Sequence, residues 1–304
     1  MEHGKLDTAT NEAHRTEIHP DRDHPEVPPD VVFQLRQVFG KVGSRALAAD
    51  VFNPRTIPAN PRPAIVFLHG GCWWKGSPSQ FHFFSGYLAS RYGFCAINVD
   101  YRFSQEAQFP AALQDAKCAV RWLRSQAQAR NIDPDRIAVC GGSAGAHLAS
   151  MMLTTAGVEE YEGDGGNDGF GSHVNLGILF NGEYDMRDLV RRGSLIEAMR
   201  QFLGGTPQEA PGRYDEISSV QRIHKDVPPV LLLHGTADIG VPCRQSIDFH
   251  DRLKALGVHS EIELYPDKPH AWFNFEPDRT ATLKRMERFL VEQFQLHDSE
   301  LVNR

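Results

Sequence analysis

Short, uninterrupted apolar runs alternate along this chain with stretches in which apolar residues recur every three or four positions. The first two runs, "VVFQLRQVFG" and "SRALAADVF", flank Gly40 to Gly43 and predict an antiparallel pair. "AIVFLH" (64–69) is apolar throughout, as expected of a strand buried on both faces. "FHFFSGYLASRYG" has helical spacing and stops at Gly93, and "FCAINVDYR" is the next strand. A long helix, "AALQDAKCAVRWLRSQAQAR", begins at Pro110 with Leu113, Ala116, Val120 and Leu123 on one face. "DPDRIAVCGGSAGAHLASMML" reads as strand, sharp turn and helix. "VNLGILFNG" (174–182), "PPVLLLHGTAD" (228–238), "SEIELYP" (260–266) and a closing helix "TLKRMERFLVEQF" follow. This alternation predicts an α/β fold with a mostly parallel, doubly wound sheet.

Three segments break the rhythm. Residues 1–30 are polar, with four histidines and with prolines at Pro20, Pro25, Pro28 and Pro29, and predict a mobile arm on the surface rather than a metal-binding tract. The glycine-rich, acidic stretch 158–173 predicts a surface loop; its ligand spacing fails the EF-hand pattern. Residues 184–225 form a largely helical insertion, a roof over a pocket or a peripheral element. The remainder, 31–297, is expected to be one α/β domain.

Composition narrows the function classes. With 304 residues, 41% hydrophobic and 23% charged, the chain has the make-up of a soluble globular protein. A formal charge of −7 argues against nucleic acid or an anionic membrane as partner. No apolar run approaches the roughly 20 residues needed to cross a bilayer. The N-terminus lacks the apolar core of a secretory leader, so the sequence as written reads as cytoplasmic, or as secreted if a leader has been removed. Cys72, Cys95, Cys118, Cys140 and Cys243 lack close or zinc-type spacing and predict reduced, mostly buried thiols.

The chemistry centres on "GGSAG", Gly141 to Gly145, set between an apolar strand and a helix. The bland alternative is a glycine turn that packs a helix on a sheet. A strand-to-helix reversal with small neighbours, however, is what lifts a serine hydroxyl above the strand ends in a strained conformation. A serine needs a histidine base, and the base needs an acid to fix its tautomer. Asp238, after the strand "VLLLHG", and His270, after the last strand, complete the order Ser–Asp–His at one sheet edge. Asp185 and Asp267 are rival acids; His234 and His147 read as packed histidines. Donors for a developing oxyanion are expected from the N–H groups of Ala144 and of Gly70, Gly71 and Cys72 in "HGGCWWKG".

These segments, together with "NVDYRFSQEAQFPAALQDAKCAVRWLR", "LLLHGTADIGVP" and "PHAWFN", resemble the α/β-hydrolase superfamily. Within it they are most similar to the carboxylesterase group that includes hormone-sensitive-lipase-like esterases and bacterial feruloyl and acetyl-xylan esterases. The resemblance covers residues 40 to 295. It implies a sheet of about eight strands, a Ser143–Asp238–His270 triad, hydrolysis of short-chain or carbohydrate-linked carboxylic esters through an acyl-enzyme, and neither cofactor nor metal.

Two positions depart from the pattern. Cys72 replaces the third glycine of an HGGG-type motif, and Gly142 stands where the lipase-like group carries Asp. Cys72 has no visible base and reads as a spectator. Trp73, Trp74, Tyr101 and Trp272 are candidate substrate contacts, although the tryptophans could equally pack and Tyr101 and Glu106 could hold a loop. "HGG" before an aromatic residue, with "SAGAHLA", is also similar to kynurenine formamidases, which leaves an amide or formamide hydrolase as the alternative. A non-catalytic binding protein of the same fold is the more distant one.

Overall fold

The uninterrupted apolar runs form the middle of an eight-stranded sheet in a computed structural model of the chain, which describes residues 18–296. The strands are β1 (Val31–Val42), β2 (Arg45–Pro54), β3 (Arg62–Leu68), β4 (Cys95–Asp100), β5 (Ile132–Gly142), β6 (Leu176–Phe180), β7 (Val230–Gly235) and β8 (Ser260–Tyr265). Their spatial order is β1-β2-β4-β3-β5-β6-β7-β8. Only β1/β2 and β2/β4 pair antiparallel; every other pairing is parallel. Every residue of β3, β6 and β7 is buried, because helices cover both faces. β1 and β8, the edge strands, are mostly accessible, with only Val31 and Phe39 of β1 and Ser260 of β8 buried.

Parallel strands all finish at the same edge, so the loops that follow them must gather there. His69 to Gly76 follow β3, Tyr101 follows β4 and Ser143 follows β5. Glu183 comes after β6, Asp238 after β7 and His270 after β8. This edge is where the candidate chemistry lies.

Three local expectations change. The long helix predicted from Pro110 ends at Ser125: Ser125 Oγ donates to the Trp122 carbonyl and Gln126 N–H is shared by Trp122 and Leu123, before a separate turn at Ala127–Arg130. The acidic loop 158–173 is pinned down rather than merely on the surface, since Glu162 accepts from Lys117 Nζ (2.9 Å) and Arg121 Nη1 (3.0 Å) while Tyr161 is buried. The insertion 184–225 is helical as expected, with helices Met186–Arg191, Ile196–Leu203 and Pro211–Glu216.

The third change concerns the polar arm. Its residues 1–17 lie outside the described residues, but 18–30 are fastened to the domain. Arg22 reaches Asp50 (Nε to Oδ2, 2.8 Å) and Asp100 (Nη1 to Oδ2, 2.7 Å). Asp50 is wholly buried and also accepts from the Arg36 N–H (3.0 Å) and His82 Nε2 (3.1 Å). Burial by itself would raise the Asp50 pKa; the bonds from His82, Arg22 and Arg36 outweigh it and hold the carboxyl below its ordinary value. Arg22→Ala would leave this buried carboxylate short of its guanidinium and is expected to cost about 2 kcal/mol. Urea unfolding should show a lower midpoint, and limited proteolysis should cut faster before Asp30.

Candidate active site

The turn from β5 into the helix Ala144–Thr154 takes a single residue, Ser143, at φ 52°, ψ −125°. That conformation is strained for any side chain and is held by its surroundings: Ser143 N–H donates to the Phe180 carbonyl (2.9 Å), and the Ser143 carbonyl accepts from His147 N–H (3.0 Å). Side chains have no room in this turn. A Cβ at Gly145 would sit 1.9 Å from the Leu68 carbonyl oxygen, and one at Gly142 would sit 2.7 Å from Phe273 Cζ. A side chain before Ser143 would therefore need the Phe273 ring to shift.

Ser143 Oγ lies 3.0 Å from His270 Nε2, and His270 Nδ1 lies 2.6 Å from Asp238 Oδ2. Asp238 Oδ1 accepts from the N–H groups of Gly240 (3.0 Å) and Val241 (2.8 Å). Burial works to raise the Asp238 pKa, but hydrogen bonds from His234 and His270 prevail and hold it far below the carboxylate range. For His270 the desolvation cost works downward, and the hydrogen bond and charge of Asp238, with the charge of Glu183, overcome it and raise the pKa. The three side chains predicted as a triad are thus brought together.

The rivals are engaged elsewhere. Asp185 caps the helix Met186–Arg191 by accepting from Asp188 N–H (3.0 Å). Asp267 is exposed, its N–H bound to Thr236 Oγ1. His234 is buried between Ser246 Oγ (2.7 Å) and the Val241 carbonyl (2.8 Å), with Nε2 also 3.3 Å from Asp238 Oδ2. His147 accepts from Trp73 Nε1 (3.2 Å) and donates through Nε2 to the Ile217 carbonyl (2.9 Å). Burial lowers its pKa to about 4, which keeps it the neutral imidazole those two bonds require.

The loop after β3 is a tight structure. Trp74 and Lys75 both donate to the Gly71 carbonyl. Gly71 sits at φ 122°, and a Cβ there would lie 2.1 Å from the Lys75 oxygen, so only glycine fits. Cys72 and Trp73 take φ values of 55° and 61°. Among the described residues, the N–H groups of Gly71, Cys72 and Ala144 donate to no protein acceptor, whereas Gly70 N–H is committed to Gln80 Oε1 at 2.7 Å. Gly70 is therefore occupied in holding the loop, and Gln80 Nε2 continues the link to Asn274 Oδ1 (3.2 Å), close to His270 in sequence. The Cys72 thiol is pushed up to about 11 by burial and by the charge of Glu183, so it is no thiolate nucleophile.

Three of the four aromatic residues expected at the substrate are interior instead. Trp73 is 0% exposed and stacks on Phe202 of the insertion, centroids 4.7 Å apart. Tyr101 is 1% exposed, stacks on His69 (4.3 Å) and donates to the His69 carbonyl (2.7 Å). Trp272 is 2% exposed and packs against Tyr265 and Phe273. Only Trp74 stays half-buried. Glu106 pairs with Arg45 at the surface.

Two neighbours of the site were missed by sequence reasoning, Gln80 and Glu183. Glu183 is fully buried, with Oε1 3.1 Å from Ser143 Oγ. Its position at the end of an apolar strand, on the same edge as Ser143, was the signal available for it.

The sequence matches the BD-FAE family over residues 49–253. Esterase LipC of Mycobacterium tuberculosis is 28% identical over 81% of this chain, which spans 60% of LipC. Apo Thermogutta terrifontis esterase 2 is 32% identical, with a TM-score of 0.75 over 90% of this chain and 98% of that one. The same esterase is known with propionate bound and phosphorylated by paraoxon. A truncated carbohydrate esterase from gut microbiota is 26% identical, with a TM-score of 0.74 over 88% of this chain and 98% of that one. The family match and the likeness of fold agree: the chain belongs to the BD-FAE family of the α/β-hydrolase superfamily.

Proposed function

We propose that this chain is a serine carboxylesterase acting on short-chain or carbohydrate-linked esters through an acyl-enzyme. One observation carries the reading: the contiguous Ser143–His270–Asp238 chain of contacts at 3.0 and 2.6 Å. Ser143 attacks the ester carbonyl while His270 takes its proton. Asp238 holds His270 with Nδ1–H inward and stabilises the imidazolium. Ala144 N–H, with Gly71 and Cys72 N–H, receives the oxyanion; Gly70 is left out because Gln80 already occupies it. His270 then protonates the departing alcohol, and water repeats the sequence on the acyl-enzyme. The propionate held by the Thermogutta esterase supports a small acyl group. Trp74 is the one aromatic side chain of its loop with exposed surface to offer a substrate.

Ser143→Ala is expected to lower hydrolysis of p-nitrophenyl acetate by at least about 10³-fold while the circular dichroism spectrum is retained. Wild-type turnover in the variant would overturn the reading. A panel of acetyl to octanoyl aryl esters, acetyl-xylan, methyl ferulate and N-formylkynurenine should favour the short esters or acetyl-xylan. Preference for N-formylkynurenine would move the assignment to amide hydrolysis.

Asp238→Asn tests the acid. His270 must be neutral to act as base, and its pKa is raised, so wild-type kcat/KM should climb at a pH above the free-histidine value. Removing the Asp238 charge should move that limb to lower pH and cut kcat by about 10⁴-fold. A pH profile that does not move would exclude Asp238 as the partner.

A further inference from the structure

The nucleophile has two neighbours, and a hydroxyl has one proton to give. Ser143 Oγ lies 3.0 Å from His270 Nε2 and 3.1 Å from Glu183 Oε1. Glu183 is fully buried, and its second oxygen, Oε2, has no hydrogen-bond partner among the described residues. Among the described residues, Ser143 is thus the one side chain that hydrogen-bonds this carboxyl.

The charge state of Glu183 decides where the serine proton points. Ionised, Glu183 is an acceptor only and competes with His270, and a charge-assisted O–H···O⁻ bond is the stronger of the two. Protonated, it becomes a donor: its O–H bonds to an Oγ lone pair, and the serine proton is left to His270. Acylation sharpens the requirement. Once Oγ is an ester oxygen it has no hydrogen, and an ionised Glu183 would face it with its only side-chain donor gone. A protonated Glu183 keeps a hydrogen bond to that oxygen.

We propose that Glu183 is a positioning residue that works with its carboxyl protonated, donating to Ser143 Oγ and thereby committing the serine proton to His270. The proposal rests on the serine-esterase reading above. The groups around Glu183 fit it. His270 and Asp238 face it from the loops after β8 and β7, Cys72 and Tyr101 from those after β3 and β4, and Tyr184 adjoins it in the chain. Burial raises the Glu183 pKa to about 7; the His270 charge, its own backbone N–H and Ser143 oppose this, and Asp238 adds to it. The charges of His270 and Glu183 act on each other, so the two titrate as a coupled pair.

The test is the pH profile of kcat/KM on p-nitrophenyl acetate from about pH 5 to about pH 10. Wild-type protein should give a bell, rising as His270 loses its proton and falling roughly tenfold per pH unit as Glu183 loses its own. Glu183→Gln can donate but cannot ionise, so the falling limb should vanish while the rising limb is kept. Glu183→Leu should also lack the falling limb. A purely structural Glu183 would change Tm or KM and leave both limbs where they were. A falling limb that persists in a folded variant, or a wild-type profile flat across the alkaline range, overturns the proposal. Should neither variant fold, fluorophosphonate labelling of wild-type Ser143 serves instead: a rate that falls over the same alkaline range supports the gate, and a flat one overturns it. Absence of any Ser143-dependent ester hydrolysis would instead refute the esterase reading, which keeps the two failures distinct.

Discussion

The single-residue reversal at Ser143 is the constraint around which the site is built. A strand cannot become a helix within one residue unless that residue accepts a positive φ, and a serine accepts it only when neighbours supply the room and the restraint. Gly142 and Gly145 supply the room, and the Phe180 carbonyl on the adjacent strand supplies the restraint. The result sets Ser143 Oγ beside His270 and leaves Ala144 N–H, at the start of a helix, without an acceptor among the described residues, so one local distortion supplies both groups that the proposed mechanism uses as nucleophile and oxyanion donor.

Buried polar contacts hold the remaining loops in register with that turn. His147, one turn into the helix, takes the Trp73 indole on one side and the Ile217 carbonyl on the other, joining the loop after β3 to the insertion through the helix that follows Ser143. Asp115 grips Arg102 through its backbone N–H and its guanidinium, which fixes the segment after β4, and Ser104 N–H then bonds the Trp73 carbonyl. Aromatic bulk without such anchors would leave the loop angle free. The two together make Trp73 a structural pin rather than a substrate surface.

Two carboxyls at the same edge illustrate how environment assigns roles. Asp238 receives N–H groups from Gly240 and Val241 and contacts from two histidines, and these bonds stabilise its charge despite burial. Glu183 has no comparable set of donors among the described residues, so the same burial favours its neutral form. Sequence distance from the nucleophile says nothing about this difference; the number of converging donors decides it.

The apolar runs and their order in the chain were enough to establish the strands, the parallel sheet and the edge at which its loops meet, because a strand buried on both faces must be apolar throughout. "GGSAG", Asp238 and His270 were legible for a related reason: a strand-to-helix turn and two strand-end loops leave local marks. Asp185 shows the limit, since a carboxylate after a strand reads the same whether it orients a histidine or caps a helix. The docking of Arg22 on Asp50, the commitment of Gly70 N–H to Gln80, the burial of Trp73, Tyr101 and Trp272, and the approach of Glu183 to Ser143 were decided by the tertiary structure alone. Each depends on which long-range partner meets a side chain or an N–H group, and hydrogen-bond satisfaction and packing are settled by that meeting, not by the residue's neighbours in the chain.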